Sequence, residues 1–173
     1  MLLASVTAAQ AQYPSAYPGY GGRTAPPPPS PVAAGPPASL AHAMLEAHNA
    51  VRGKVGVPPL AWSLQLAAVA QDWANRLIAA GDFSHRPDNP YGENLYAISG
   101  GSASPAEVVA AWAKEGRDYD LNSNTCAGVC GHYTQIVWRA TRSVGCGIAT
   151  DPGHEVWVCD YDPPGNFVGH RPY

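Results

Sequence analysis

The sequence predicts an α+β domain in which helices pack on an antiparallel sheet. Three observations carry that class. Helical periodicity comes first in the chain, a further helix falls between strands, and a strand-turn-strand pattern closes it. No internal repeat interrupts this order.

Each element has its own signal. Ser39 can cap a first helix over residues 40–52, with Gly53 and Gly56 ending it and Pro58-Pro59 forbidding its continuation. Ser63 can cap a second, in which Leu66, Val69, Ala70, Trp73, Leu77 and Ile78 recur at helical spacing until Gly81. Residues 94–99 form a short candidate strand. Ser104-Pro105-Ala106-Glu107 is a capping box with Pro at the first helical position, and it opens a third helix. Val108, Ala111, Trp112 and Glu115 then share one face. A short fourth helix begins near Gly131, with Tyr133, Ile136, Val137 and Ala140 as its apolar positions. Strands over 143–150 and 155–161 flank the turn sequence Asp151-Pro152-Gly153-His154. In the second of these, Val156, Val158 and Asp160 alternate with Trp157, Cys159 and Tyr161. The hairpin sets Cys146 and Cys159 on neighbouring strands, within reach of a bridge.

Composition divides the 173 residues sharply. Residues 1–11 read as a signal-peptide remnant: an apolar start, then the small-x-small pattern Ala9-Gln10-Ala11, without the usual basic region. Residues 12–39 hold PSAYPGYGG, APPPPSP and GPP, a disordered proline-rich linker with polyproline II character. A recognition segment for a proline-binding domain or a cell-wall anchor is the sharper reading of the same run. Residues 40–173 are the folded domain, roughly 130 residues, large enough for one core. A net charge of −3 with 13% charged residues gives no basic footprint for nucleic acid. No apolar run has the length of a membrane span. Four cysteines, an even count without zinc-finger spacing, point to disulfides and an oxidising compartment, hence to a secreted, extracellular protein.

The densest stretch is residues 122–138, NSNTCAGVCGHYTQIVW. Cys126 and Cys130 are close enough to staple a loop, and His132 follows on the first turn of the fourth helix. Four residues are costly to bury yet sit beside apolar neighbours: His85, Glu93, Glu115 and His132. Two histidines and two glutamates suit one another as hydrogen-bond partners, and they are an acceptable ligand set for zinc or a similar divalent ion. Taken singly, Glu115 reads as a helix-end charge reaching water, His85 as a loop residue and Glu93 as a local backbone cap. Spacing alone does not bring the four together.

Five motifs in order carry a resemblance: His48-Asn49 with Arg52, Pro58-Pro59-Leu60-Ala61-Trp62, Tyr91-Gly92-Glu93-Asn94-Leu95, GHYTQIVW at 131–138, and VCDYDPPGN at 158–166. The domain resembles the CAP superfamily of cysteine-rich secretory proteins, antigen 5 and pathogenesis-related protein 1, and it is most similar to the plant pathogenesis-related type. The resemblance implies a three-layer α-β-α sandwich with a central antiparallel sheet. It implies that His85, Glu93, Glu115 and His132 converge in one cleft, with His85 and His132 holding a divalent metal such as zinc. It implies the disulfides Cys126–Cys130 and Cys146–Cys159, a third family bridge being lost where Phe83 replaces a cysteine. Asp160 stands where an asparagine is usual. The tail 163–173 has the form of a peptide released from some plant relatives, or else is a structural tail packing on the sheet.

The function so implied is non-enzymatic: binding of a sterol or other lipid beside the cleft, at a cell-wall or membrane surface, by a monomer with a defence or antimicrobial role. A metal-assisted hydrolase or peptidase using the cleft is the main rival, although the sequence holds neither HExxH nor GxSxG. A protein-interaction module is the third reading.

Overall fold

The computed structural model describes residues 38–173. The expected signal remnant and all but the last two residues of the linker lie outside the described residues. The first helix, α1, spans Ala38–Lys54, so Ser39 lies inside its first turn rather than before it. Then come β1 (Ala61–Trp62), α2 (Leu64–Ala80) and β2 (Gly92–Ser99). These are followed by α3 (Pro105–Lys114), a 3-10 turn (Glu115–Arg117), β3 (Tyr119–Asp120) and β4 (Thr125–Cys126). The chain ends with α4 (Gly131–Ile136), β5 (Ser143–Asp151) and β6 (His154–Asp162).

Local signals set the helix ends. Ser63 Oγ accepts from the Leu66 amide at the start of α2, and Gly81 closes that helix at φ 63°. At α3 both halves of the capping box form: Ser104 Oγ accepts from the Glu107 amide, and Glu107 accepts from the Ser104 amide. The buried face of α3 is Val108, Val109 and Trp112, whereas Ala111 is exposed. Ala140 likewise falls beyond α4 and is exposed, because that helix stops at Ile136.

The main sheet has the order β1-β5-β6-β2. Its hairpin and the β2–β6 pair are antiparallel, with Cys146 opposite Cys159 and Glu93 opposite Asp160. The central antiparallel sheet is as expected, and one edge adds a short parallel pair: β1 runs parallel to β5 through Ala61 and Trp62. A separate two-stranded ribbon, β3-β4, was not foreseen.

Helices cover both faces, which makes the sandwich. Trp157, Cys159 and Tyr161 of β6 pack with Met44 of α1, Val108 and Trp112 of α3, and Ile136 of α4. Val156 and Val158 pack on the other side with Ala70, Ala74 and Leu77 of α2 and Leu95 of β2. Residues 155–161 are therefore all buried, so the period-2 alternation in β6 separates two cores rather than core from water. Helix α2 approaches β5 closely over Gly145 and Gly147, where an added Cβ would stand 2.2 Å from the Ala67 amide nitrogen and 2.3 Å from Gln71 Cα. Any side chain there would push the helix off the sheet.

Candidate functional site

Edge strand β2 opens the site. Its first residue, Gly92, lies under Gln135 of α4; a Cβ there would sit 2.1 Å from Gln135 Oε1. Buried Gln135 also accepts from the Gly165 amide, tying β2, α4 and the C-terminal segment together. Next in the strand, Glu93 and Asn94 point to opposite faces, as strand geometry requires.

Glu93 serves the loop before the strand. Its side chain is 1% exposed, and Oε1 accepts from His85 Nδ1 at 2.7 Å and from the Arg86 amide at 3.0 Å. Asn89 Nδ2 donates to Oε2 at 3.3 Å. His85 itself is half-exposed. The Arg86 guanidinium donates to the Val69 carbonyl and lies 5.3 Å over the Trp73 ring.

Glu115 serves α4. It follows α3 at the head of the 3-10 turn, on the side of Trp112 where the spacing puts it. Oε1 accepts from His132 Nδ1 at 2.6 Å, and Oε2 accepts from the amides of His132 and Tyr133 at 3.0 and 3.3 Å. The carboxylate thus caps the open N–H groups of α4 while it orients the imidazole. The His132 ring also stacks on Trp112, with centroids 6.1 Å apart and planes at 19°.

In both pairs a carboxylate can only accept, so Nδ1–H donates, and in the neutral imidazole this leaves the lone pair on Nε2. No hydrogen bond among the described residues engages either Nε2. His85, Glu93 and His132 line one cavity of about 440 Å³, and Glu115 stands behind His132. The Cys126–Cys130 loop forms another part of its wall. The tail adds Phe167, Val168 and Gly169. Val129, Phe167 and Val168 are exposed large apolar residues at this rim.

The bridges are Cys126–Cys130 and Cys146–Cys159, and no free cysteine exists among the described residues. This is the pairing the resemblance implies, and it removes any thiolate from the cavity wall. The tail lies against α4 and the 121–122 turn rather than on the sheet. Tyr173 and Tyr133 hydroxyls meet at 3.0 Å, and Arg171 donates to the carbonyls of Leu121 and Asn122.

Sequence reasoning noted four further residues, His48, Arg52, Asn94 and Tyr161, only as parts of motifs or of a strand pattern. Fully buried His48 donates from Nδ1 to the Met44 carbonyl at 2.7 Å, and its Nε2 meets Tyr161 Oη at 2.8 Å. Asn94 Nδ2 donates both to Tyr161 Oη and to the His132 carbonyl, joining that core network to the cavity wall. Burial pushes the His48 imidazole down to about 4, helped by the positive Arg52 and opposed by the Met44 bond. Arg52, also fully buried, gives four hydrogen bonds to the carbonyls of Pro58, Ile136, Trp138 and Thr141. The motif residues His48 and Arg52 were the available signal, since two ionisable side chains one helical turn apart on a core-facing helix need internal partners.

Such a sandwich, stapled by two disulfides around a histidine-glutamate cavity, defines a class that the comparisons identify. Residues 45–161 match the CAP family, described as the cysteine-rich secretory protein family, and the chain belongs to it. It is of the pathogenesis-related type: it is 48% identical over 132 residues to pathogenesis-related protein 1A of Nicotiana tabacum, covering 75% of this chain and 78% of that protein. Among solved structures, the venom allergen-like protein 4 of Schistosoma mansoni superposes with a TM-score of 0.64 at 25% identity, covering 79% of this chain and 94% of that one. The structure of NaASP2 with Zn2+ shares the fold, with a TM-score of 0.65 at 24% identity over 80% of this chain and 87% of that one.

Proposed function

We propose that this chain is a secreted defence protein that acts by binding rather than by catalysis, taking an amphipathic lipid or sterol at the cavity. One observation carries the reading: two imidazoles, each fixed by a glutamate, share a cavity with an exposed apolar rim. An amphipathic molecule satisfies both halves, its hydrocarbon on Val129, Phe167 and Val168 and its polar end toward the histidines. A volume of about 440 Å³ lies within the range of small-ligand pockets. The two disulfides fit an extracellular setting.

The donor set also suits a divalent cation. His85 and His132 would hold it through Nε2, and the carboxylate on each Nδ1 is the outer-shell partner that metal-binding histidines ordinarily have. Among the described residues no cluster of three or more His, Cys, Asp or Glu is arranged to enclose an ion. The fit is therefore to a two-imidazole site with open positions, where a bound ion would supply positive charge to an oxygen-bearing headgroup.

The test uses a fluorescent sterol and zinc as separate probes on the oxidised domain. Covering Phe167 with ligand is worth about 1.5–3 kcal/mol, so Phe167→Asp should weaken sterol binding at least tenfold. Zinc heat should vanish in His132→Ala, and in the wild type it should fade as pH drops through the histidine range near ~6.5. A wild-type protein with no affinity for sterol or fatty acid would remove the lipid reading, and absence of zinc heat at neutral pH would remove the metal.

A further inference from the structure

Asp160 stands opposite Glu93 in the β2–β6 register, and both residues are buried, at 0% and 4% exposed. One amide serves both carboxyls, because Asn89 Nδ2 donates to Asp160 Oδ1 at 3.1 Å as well as to Glu93 Oε2. Beyond that shared donor the two are unequally supplied. Glu93 also receives His85 Nδ1–H and the Arg86 amide. Asp160 Oδ2, buried, has no hydrogen-bond partner among the described residues.

The neighbouring elements bring one compensating charge. From the 81–91 loop comes Arg86, whose guanidinium donates to the Val69 carbonyl, lies over the Trp73 ring and keeps a buried Nε without a partner among the described residues, so it makes no ion pair with Asp160. From β5 the residue in register with Asp160 is Gly145, and the backbone packed against that glycine belongs to Ser63, the cap of α2, and to Leu66 and Ala67 of its first turn, none of them ionisable. From β2 comes Glu93, of like sign. Two carboxylates in one dry site resist ionising together, and the charge settles where the donors are. That place is Glu93, which leaves the proton on Asp160.

We propose that Asp160 is a positioning residue of the cleft: a buried acid that stays protonated at rest, and whose ionisation sets a second negative charge behind the Glu93–His85 pair. The site then answers to pH through a group that does not line the cavity, and the summed charge of the Asp160 and Glu93 carboxyls passes from −1 to −2 as the proton leaves. This rests on reading the cleft as a binding site, where such a change alters the attraction for a cationic or polar ligand. An asparagine here would fix the neutral state permanently. The electrostatics agree with the geometry: burial, assisted by the charge on Glu93, pushes the Asp160 carboxyl up to about 7 against the opposing pull of Asn89 and Arg86.

The test is a carbon-detected NMR titration of side-chain carboxyls in the ligand-free protein, so it stands whether or not zinc or lipid ever binds. Asp160 should titrate with a midpoint about 7, and the same step should register at the Glu93 carboxyl and the Asn89 side-chain amide. Asp160→Asn should erase that step from both reporters. Asn89→Ala, which removes the one donor to Asp160, should move the Asp160 midpoint higher still. An Asp160 midpoint in the ordinary range near ~4 would overturn the proposal. So would Glu93 and Asn89 titration curves that are identical in the wild type and the Asp160→Asn variant.

Discussion

Replacing Asp160 by Asn should change how stability depends on pH, and the change can be worked out from two buried groups. His48 has a folded-state value of about 4 against an ordinary 6.5, because burial disfavours the cation. Between those values the unfolded chain holds more protons, so stability is full above 6.5 and is lost as pH falls toward 4. Asp160 has the opposite sign. Its value is raised from 3.8 to about 7, so the folded chain holds the extra proton between them, and stability is full below 3.8 and is lost as pH rises through 7. Each slope is about 1.4 kcal/mol per pH unit. Across roughly pH 4 to 6.5 the two cancel, and their joint contribution in the wild type is flat.

Asp160→Asn deletes one of the two slopes. The variant should match the wild type below pH 3.8, then gain on it steadily, reaching an advantage of about 4 kcal/mol above pH 7. Asparagine is isosteric and keeps an oxygen for Asn89, so no cavity offsets the gain. Glu107 and Asp120, whose acidities are raised by bonds from Ser104 and from Ser123 with Asn122, titrate alike in both proteins and drop out of the difference. Urea unfolding at 25 °C with the disulfides intact, at half-unit steps from pH 3.5 to 8, measures it directly, with an unchanged m-value showing that only stability moved. A wild-type-minus-variant difference that is constant across that range would refute the reasoning.

Two further substitutions test the frame around the cavity. Arg52→Met strips hydrogen bonds from four carbonyls, one at the end of α4 and two on the segment after it, and should cost about 4 kcal/mol or more by thermal or urea unfolding; a loss under about 1 kcal/mol would mean those carbonyls find other donors. Removing the Cys146–Cys159 pair, with a sequence separation of 13, should cost about 3 kcal/mol, and removing Cys126–Cys130, with a separation of 4, about 2. Non-reducing mass spectrometry should find those two pairs and no free thiol, and a Cys126–Cys146 link would contradict the assignment.

What the sequence disclosed follows from the range of the forces involved. The capping box at Ser104, the Ser63 cap and the 151–154 turn are decided by residues within four positions of each other, and each forms as read. Strand β1 is two residues long and owes its existence to Ser143 and Val144, some eighty positions away, so nothing local announced its parallel pairing. Helical spacing puts Glu115 on the side of Trp112, and its carboxylate meets the ring that stacks there; what spacing does not show is that the helix tightens to a 3-10 turn and that the same carboxylate closes the open end of α4. Ala111 shows the same limit, since its neighbour Val109 takes the buried position instead. The four site residues lie on a loop, an edge strand, a helix end and a second helix. Only the motif resemblance brought them together on paper, because no periodicity connects them. Asp160 was noticed as an odd residue, yet its significance depended on the register with Glu93, which a sequence does not print.

That register also explains how one cleft draws on both layers of the sandwich. Successive residues of a strand face opposite ways, so Glu93 points to the α2 side and Asn94 to the side of α1, α3 and α4. The partner strand repeats the division: Asp160 lies with Glu93, and Tyr161 with Asn94. Beneath His85 there is consequently a pair of carboxyls sharing one amide, and beneath His132 a neutral chain running from Asn94 through Tyr161 to His48. Only at an edge strand can side chains from the two faces meet around the rim of the sheet, and β2 is such an edge. The two histidines are thus alike in their Nδ1 contacts but differ in what stands behind them. A charge change at Asp160 acts through Glu93 on the His85 half and leaves the His132–Glu115 half, on the far face, governed by α4. The asymmetry is testable within a single spectrum. Asp160→Asn should shift the side-chain signals of Glu93 and Asn89 while those of Glu115 stay where they are, and equal shifts in both halves would show that the sheet does not insulate one pair from the other.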